Sequence, residues 1–212
     1  MKKLVSVIGL IVLLGINMSG CILFSENLLS LESTVKGLPM SIQTYSDNGK
    51  LLDKITGDSI NFTSDDRFAL YSNGSTVEKS TVINATIGGE PLVNVGTTLI
   101  AYDQAIENVF DKYAKTVEIE DLNRSTPIVN HMVNTLKNDF TGNSYLIFVK
   151  SQTSEPIATF IGEDIRYEPT PIDKSTSFLI DGKRLFLYRC SYSMYSIKLL
   201  EGNPVLEEVK QK

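Results

Sequence analysis

The chain has 212 residues, a formal net charge of −5 at pH 7, and 42% hydrophobic and 21% charged residues. This composition is that of an ordinary globular protein, and its acidic balance argues against a nucleic acid as partner. One histidine and two cysteines exclude a structural zinc site and the HExxH zinc proteases, and we expect no metal and no cofactor.

The first 20 residues have the pattern of an export signal. Lys2 and Lys3 form a basic start, and residues 4–18 are mostly apolar. That apolar stretch is too short for a comfortable membrane span, which needs about 20 residues. We therefore predict a signal-peptide helix within residues 1–20, and an uncleaved signal anchor is the alternative.

The residues that end this signal resemble the lipobox of bacterial lipoproteins. Met18, Ser19 and Gly20 precede Cys21, and Met18 stands where that motif usually has leucine. The resemblance implies that a signal peptidase recognises these three residues and that Cys21 becomes a lipidated N-terminus. Two or three acyl chains on one cysteine hold a protein firmly at a bilayer. We thus expect the protein on the extracytoplasmic face of the cell membrane, with the membrane itself as a partner.

Between residues 21 and 102 the sequence predicts a tether followed by strands. Residues 21–38 form the lipid-anchored tether, and the domain is expected over residues 39–200. Asn73-Gly74 is a hairpin signal, and Gly57 predicts a bulge or a break. Strands are predicted at residues 40–46, 51–62 (as one or two strands), 67–71, 76–87 and 92–102.

Two central helices follow. Asp103 fits the N-cap of a first helix, whose apolar stripe runs from Tyr102 to Tyr113. Pro127 fits the first position of a second helix, which Gly142 ends.

The pattern then returns to strands. Asp181-Gly182 marks the clearest hairpin, and residues 201–212 form a charged tail. Strands, two central helices and strands again predict an α+β fold with a mostly antiparallel sheet. Whether the two strand blocks share one sheet, or are separated by a domain boundary, is left open. The later strands are predicted at residues 144–149, 157–162, 165–168, 178–180, 183–190 and 191–200.

The sequence contains no complete catalytic motif. His131 lies on the polar side of the second predicted helix, which favours a solvated residue over a member of a triad. The S-x-x-K match at residues 33–36 lacks the motifs that accompany it in penicillin-binding proteins. Asp65-Asp66 stands beside a turn and is expected to be solvated. Cys190 has no disulfide partner once Cys21 is lipidated, and its place in a strand favours burial.

A cluster of tyrosines near the end of the domain is the candidate binding surface. Tyr188 and Tyr192 share parity with Cys190 and Met194, so all four should point to one sheet face, and Tyr195 lies close by. Two interpretations stay open. The face is either a core face with phenol groups at its rim, or an exposed aromatic surface that binds sugar or protein.

Several segments of the chain are similar to those of a known family. They are Val95-Gly96-Thr97-Thr98-Leu99-Ile100-Ala101-Tyr102, Val129-Asn130-His131-Met132-Val133-Asn134, Lys150-Ser151-Gln152, Ile157-Ala158-Thr159-Phe160, Asp173-Lys174-Ser175-Thr176, Ile180-Asp181-Gly182-Lys183 and Tyr188-Arg189-Cys190. They resemble an uncharacterised family of lipoproteins from Gram-positive bacteria, known as a domain of unknown function. The resemblance implies lipid anchoring in a single-membrane host, and it carries no catalytic residues.

The function that these observations favour is a non-enzymatic surface lipoprotein. It would act as a binding or accessory module that contacts an envelope protein or cell-wall glycan. The alternative is a glycan-directed envelope hydrolase that uses paired carboxylates, since that chemistry needs only two acids close together. Two acids in a deep cleft would favour the hydrolase, and a shallow surface would favour binding.

Overall fold

The computed structural model describes residues 39–58, 61–116 and 143–201, which all lie in one compact unit. Most of the regular structure in these ranges is antiparallel strand, so the prediction of a mostly antiparallel sheet is confirmed. The strands are β1 Pro39–Tyr45, β2 Leu51–Asp58, β3 Asn61–Ser64, β4 Leu70–Ser72, β5 Ser75–Glu78, β6 Val82–Ile87, β7 Glu90–Val95, β8 Thr98–Asp103, β9 Tyr145–Lys150, β10 Pro156–Gly162, β11 Ile165–Pro169, β12 Ser175–Ile180, β13 Lys183–Tyr188 and β14 Ser191–Ser196.

The described ranges contain two small α-helices, α1 Val109–Thr116 and α2 Ile197–Glu201. The first predicted helix begins later than expected, because Tyr102 and Asp103 complete β8. Asn108 caps α1, since its Oδ1 accepts the Phe110 N–H at 3.2 Å. The second predicted helix, with Pro127 and His131, lies outside the described residues. The strand predicted at 191–200 ends at Ser196, where α2 begins.

Six strands form the central sheet, in the order β11-β12-β13-β8-β1-β2. Strands β1, β2 and β8 precede the helical region, and strands β11, β12 and β13 follow it. The two groups meet where β8 pairs antiparallel with β13, so both strand blocks share one sheet.

Two three-stranded sheets cover the two faces of the central sheet. The sheet β3-β6-β7 packs on one face, where the rings of Phe62 and Phe186 stack 4.6 Å apart. The sheet β10-β9-β14 packs on the other face, around Phe160, Phe178 and Leu185. A third apolar cluster joins the outer side of β9 to both helices through Val109, Leu146, Phe148, Ile197 and Leu200.

Several predicted strands are interrupted where the chain passes from one sheet to another. Residues 51–62 divide into β2 and β3, residues 76–87 into β5 and β6, and residues 92–102 into β7 and β8. In each case the two halves belong to different sheets. Alternation of apolar residues is the same on both sides of such a break, so alternation alone does not reveal it. Gly57 indicates the first of these breaks, and the other two are not indicated by the sequence.

Turn residues behave largely as predicted. Asn73-Gly74 connects β4 to β5 with positive φ angles of 52° and 76°, which confirms the hairpin. The sequence predicts a bulge or a break at Gly57. The bulge is wrong, because Gly57 pairs regularly with Met40 and the irregularity of this ladder lies between Thr44 and Tyr45. A break does follow, since β2 ends one residue later at Asp58. A glycine is required at position 57 because a Cβ would collide with the Ile87 side chain.

Candidate binding groove

The candidate site is a groove of about 500 Å³ on the outer face of the sheet β3-β6-β7. Its floor follows from the strand register. Val82 stands opposite Val95, and Asn84 stands opposite Val93, so each pair points to the same face of the sheet. That face is turned away from the core, since Ile83 and Ala85 point inward. The groove is lined by Asp65, Arg67, Phe68, Thr81, Val82, Asn84, Val93 and Val95.

An ion pair between Arg67 and Asp65 forms part of the groove lining. Arg67 Nε donates to Asp65 Oδ1 at 2.8 Å, and Arg67 Nη2 donates to Asp65 Oδ2 at 2.6 Å. Asn84 Nδ2 also donates to Oδ2, at 3.4 Å. The hydrogen bond from Arg67 holds the pKa of the Asp65 carboxyl well below its usual range. The prediction that Asp65 is solvated is wrong, because Asp65 is buried as the cap of a 3₁₀ turn over Asp66–Phe68.

Three apolar residues of the groove lining are exposed. Phe68, Val93 and Val95 are each between 58% and 65% exposed. Leu70, Tyr71 and Val77 on the neighbouring hairpin β4–β5 are exposed to a similar degree. Exposed apolar residues are ordinary singly, but a concentration of them marks an interaction surface.

The chemistry of the groove favours binding. Among its lining residues Asp65 is the one carboxyl, and its charged form is stabilised by Arg67. A general acid needs the opposite environment, one that raises the pKa of the carboxyl. Within the part of the chain that the structure describes, no group of three or more His, Cys, Asp or Glu residues can hold a metal ion.

The comparisons with known proteins place the chain in a family. The model of a family described as Domain of unknown function (DUF5052) matches residues 2–200. The chain belongs to the DUF5052 family. No curated protein matches the chain, and no solved structure matches it. The predicted membership of a family of unknown function is confirmed, whereas the lipoprotein character of that family stays a prediction.

The residues of the predicted anchor are outside the part that the structure describes. They are Met18, Ser19, Gly20 and Cys21, and the same holds for His131 and the S-x-x-K match. The described helices of this DUF5052 chain are too short or too polar to span a bilayer.

The three tyrosines of the predicted surface lie in three different places. Tyr188 is buried in β13 between the central sheet and β3-β6-β7, and its hydroxyl donates to the Thr81 carbonyl at 2.8 Å. Tyr192 lies at the surface on β14. Tyr195 points to the opposite side of β14 and packs against the helical cluster. The parity argument is wrong because β13 and β14 belong to different sheets, and Arg189 between them has a positive φ of 50°.

An aromatic cluster that the sequence did not reveal lies at the open edges of β11 and β14. Tyr167 and Tyr192 both pack on the buried Phe178, with ring centroids 6.0 and 5.1 Å away. Tyr192 also hydrogen-bonds Thr176, with 3.1 Å between the two hydroxyl oxygens. Tyr167 is 25 residues from Tyr192 in the chain, so only the strand register connects them. Binding by Tyr192 or Tyr195 stays a prediction.

Three segments that carry the family resemblance meet at one end of the central sheet. Arg189 Nη2 donates to Gln152 Oε1 at 2.8 Å. Gln152 Nε2 in turn donates to Asp47 Oδ1 at 2.7 Å and to the Gly96 carbonyl at 3.3 Å. The Gln152 side-chain amide thus connects four loops. We interpret these hydrogen bonds as holding the loops together.

Cys190 is partly buried against the core cluster that contains Phe178 and Leu185. Burial raises the pKa of its thiol to about 12. The expected role of Cys190 as a small apolar residue agrees with this environment, although the residue follows β13 instead of lying within it.

Proposed function

We propose that this protein is a lipid-anchored, non-enzymatic binding module on the extracytoplasmic face of the cell membrane. The apolar stretch before Cys21 supports the anchor, and the groove beside Asp65 and Arg67 supports binding. The observation that carries the proposal is the groove itself. It combines exposed apolar side chains with a carboxylate that Arg67 already neutralises.

The ligand that fits this groove is a segment of an envelope protein with an apolar side chain. Val82, Val93 and Val95 offer aliphatic contacts, and Phe68 offers a ring at the rim. Arg67 is 83% exposed and uses Nε and Nη2 on Asp65. Its Nη1 hydrogens therefore remain for a carbonyl oxygen of the ligand.

The hydrolase alternative receives no support from the groove. A glycosidase needs two carboxyl groups that flank the scissile bond, and one of them must keep its proton at working pH. Asp65 is the one acid among the lining residues, and its pKa is lowered instead of raised.

Crosslinking on intact cells tests the proposal. The full-length protein and its Phe68→Ala and Arg67→Ala variants are crosslinked, and mass spectrometry identifies what stays attached. Tyr167→Ala is the matched control, because Tyr167 is an equally exposed aromatic residue on an edge strand and does not line the groove. We expect one dominant protein with the wild type and the control, and its loss with Phe68→Ala. Equal capture by all variants, or retention of wall glycan in place of a protein, would contradict the proposal.

A further inference from the structure

Two exposed tyrosines converge on one buried phenylalanine where two sheets end side by side. Among the described strands, β11 is an edge strand of the central sheet, and β14 is an edge strand of the sheet β10-β9-β14. Tyr167 on β11 and Tyr192 on β14 both pack on Phe178, with ring centroids 6.0 and 5.1 Å away. The two tyrosines are therefore neighbours across the gap between the sheets.

Both tyrosines point into the space between the sheets, yet neither is buried. Tyr167 stands opposite Phe178 and Tyr192 stands opposite Val149, and both of these partners belong to the core. Side chains that face each other across an antiparallel pair lie on the same side of the sheet. Tyr167 is nevertheless 61% exposed and Tyr192 is 37% exposed. Rings that share the core side of their strands thus reach solvent here, because both sheets end at these strands.

The protein itself holds the Tyr192 ring in place. Phe178 is buried and meets this ring edge to face, with an interplanar angle of 83°. The Tyr192 hydroxyl also shares a hydrogen bond with Thr176, with 3.1 Å between the two oxygens. A tyrosine held in this way loses little conformational entropy when a ligand covers it. The ring is therefore preorganised for contact.

The side chains that share this face of the three strands are uncharged. Pro169 stands opposite Thr176, and Met194 stands opposite the core residue Ile147, so both belong to the same surface. Strand alternation places the charged residues of β11, Arg166 and Glu168, on the opposite face. A ligand that fits this surface is therefore neutral where it meets the rings. We call the surface the tyrosine platform, and it consists of Tyr167, Pro169, Thr176, Tyr192 and Met194.

Neutral sugar rings match the chemistry of the tyrosine platform. The face of an aromatic ring is the negative part of its quadrupole, whereas the C–H bonds on the face of a pyranose carry a partial positive charge. A pyranose can therefore stack on a tyrosine, and its hydroxyls can hydrogen-bond Thr176 and the phenol groups. Aliphatic side chains of a protein would cover these hydroxyls without offering them a hydrogen-bond partner.

We propose that the tyrosine platform binds a neutral glycan of the cell envelope whose sugar rings carry equatorial substituents. Such rings present C–H bonds on both faces, and Tyr167 and Tyr192 offer one aromatic contact each to successive sugars of one chain. The location outside the cell rests on the proposed function, whereas the recognition of sugar rests on the platform alone. The groove beside Arg67 is a separate site for a protein segment.

Titration of the full-length protein with neutral tetrasaccharides tests the proposal. The probes are chitotetraose and cellotetraose, and oxidised cellotetraose with a carboxylate on every ring is the charged counterpart. The detergent has no sugar headgroup. The chain contains no tryptophan, so tyrosine emission reports binding directly, and calorimetry measures the affinity. Tyr71→Ala is the matched control, since Tyr71 is 60% exposed and lies outside the platform.

We expect the neutral tetrasaccharides to bind the wild type and Tyr71→Ala equally. Binding to Tyr167→Ala and to Tyr192→Ala should be about ten-fold weaker, because each variant loses one stacking ring. Tyr192→Phe keeps the ring and should lose less affinity than Tyr192→Ala. Failure of the wild type to bind either neutral probe overturns the proposal, as does equal affinity of all variants or equal affinity for oxidised cellotetraose.

The fold of each variant is checked by circular dichroism. Tyr192 contacts a core ring, so its replacement by alanine affects packing as well as binding. Tyr167 is mostly exposed, and Tyr167→Ala decides the result if Tyr192→Ala does not fold. Phe68→Ala should bind the neutral tetrasaccharides as the wild type does, so this proposal and the proposed groove can fail separately.

A photoreactive residue distinguishes a glycan from a protein at the same place. Benzoylphenylalanine replaces Tyr167 in the full-length chain, and intact cells are irradiated. We expect wall glycan to become attached to the protein at this position. Attachment of another protein in place of glycan would show that the platform is a protein interface and overturns the proposal.

Discussion

Tyr102 in β8 stands directly opposite Leu185 in β13. These residues are 83 positions apart in the chain, and their pairing joins the strands before the helical region to those after it. Both side chains point to the core face that carries Phe160 and Phe178. A pair this far apart in the chain closes a long loop, and such long-range contacts slow folding.

The stacked pair Phe62 and Phe186 should be a main link between the central sheet and β3-β6-β7. Both rings are buried and 4.6 Å apart. Phe186→Ala should lower the free energy of unfolding by about 3–5 kcal/mol. The double variant with Phe62→Ala should show a coupling energy of about 0.5–1.5 kcal/mol. Urea denaturation measures both values, and additive losses would show that the rings do not interact.

The pH dependence of stability should include a contribution from Asp65. Its pKa is lower in the folded protein than in the unfolded chain, where an aspartate has a pKa of about 4. The ion pair therefore stabilises the fold above that pH, and the contribution is lost as the pH falls toward the folded-state pKa. Asp65→Asn should lower the Tm at pH 7 and make the acid side of the stability curve less steep.

Asp66→Asn is the control for that experiment, because Asp66 is exposed and adjacent in the chain. Thermal unfolding at pH 3, 5 and 7 separates the two variants. An identical acid dependence in wild type and Asp65→Asn would show that Asp65 contributes nothing to it.

Arg184 should be replaceable without loss of stability. It is 5% exposed, and its Nε and Nη1 have no hydrogen-bond partner in the structure as described. Burial lowers the pKa of the guanidinium, and the nearby charge of Glu168 opposes this. Arg184→Met keeps a similar volume and removes a buried guanidinium, so the free energy of unfolding should be unchanged or higher.

Arg166→Met serves as the comparison, since Arg166 is 74% exposed and paired with Asp164. Its effect on the midpoint of urea unfolding should be close to zero. A large loss of stability in Arg184→Met alone would show that the buried guanidinium is satisfied in the folded protein.

Cys190 should react slowly with thiol reagents while the protein is folded. A pKa near 12 in place of the ordinary value of 9 lowers the thiolate fraction at pH 8 by about a thousandfold. Labelling by iodoacetamide, followed by mass spectrometry in a Cys21→Ala background, should be slow in buffer and fast in urea. Equal rates in both conditions would show that the thiol is not protected by the fold.

Cys21 should be required for membrane attachment. Cys21→Ala removes the sulfur that the lipobox resemblance assigns to the lipid. We expect loss of labelling by a fatty-acid analogue and loss of the protein from the detergent-extracted lipoprotein fraction. Ser19→Ala, which keeps a small residue at that position, should be labelled as the wild type is. Unchanged labelling of Cys21→Ala would rule out the lipobox.

The sequence predicts only part of the candidate site. Asp65-Asp66 was visible beside a turn signal, but nothing in the sequence shows that Arg67 folds back on Asp65 or that Asn84 lies beside it. The sequence pattern predicts Val93 and Val95 in one strand with residues 98–102, although the two valines belong to a different sheet. The three predicted tyrosines do not form one surface, because the chain passes from one sheet to another at Arg189.

What the sequence determined by itself is local. Alternation of side chains and the Asn-Gly and Asp-Gly turns identify most strands and two hairpins, because these depend on residues next to each other in the chain. The assignment of each strand to a sheet depends on pairs such as Tyr102 and Leu185, which only the packed core brings together. The same packing decided which tyrosines are buried, formed the groove beside Arg67 and brought Tyr167 close to Tyr192.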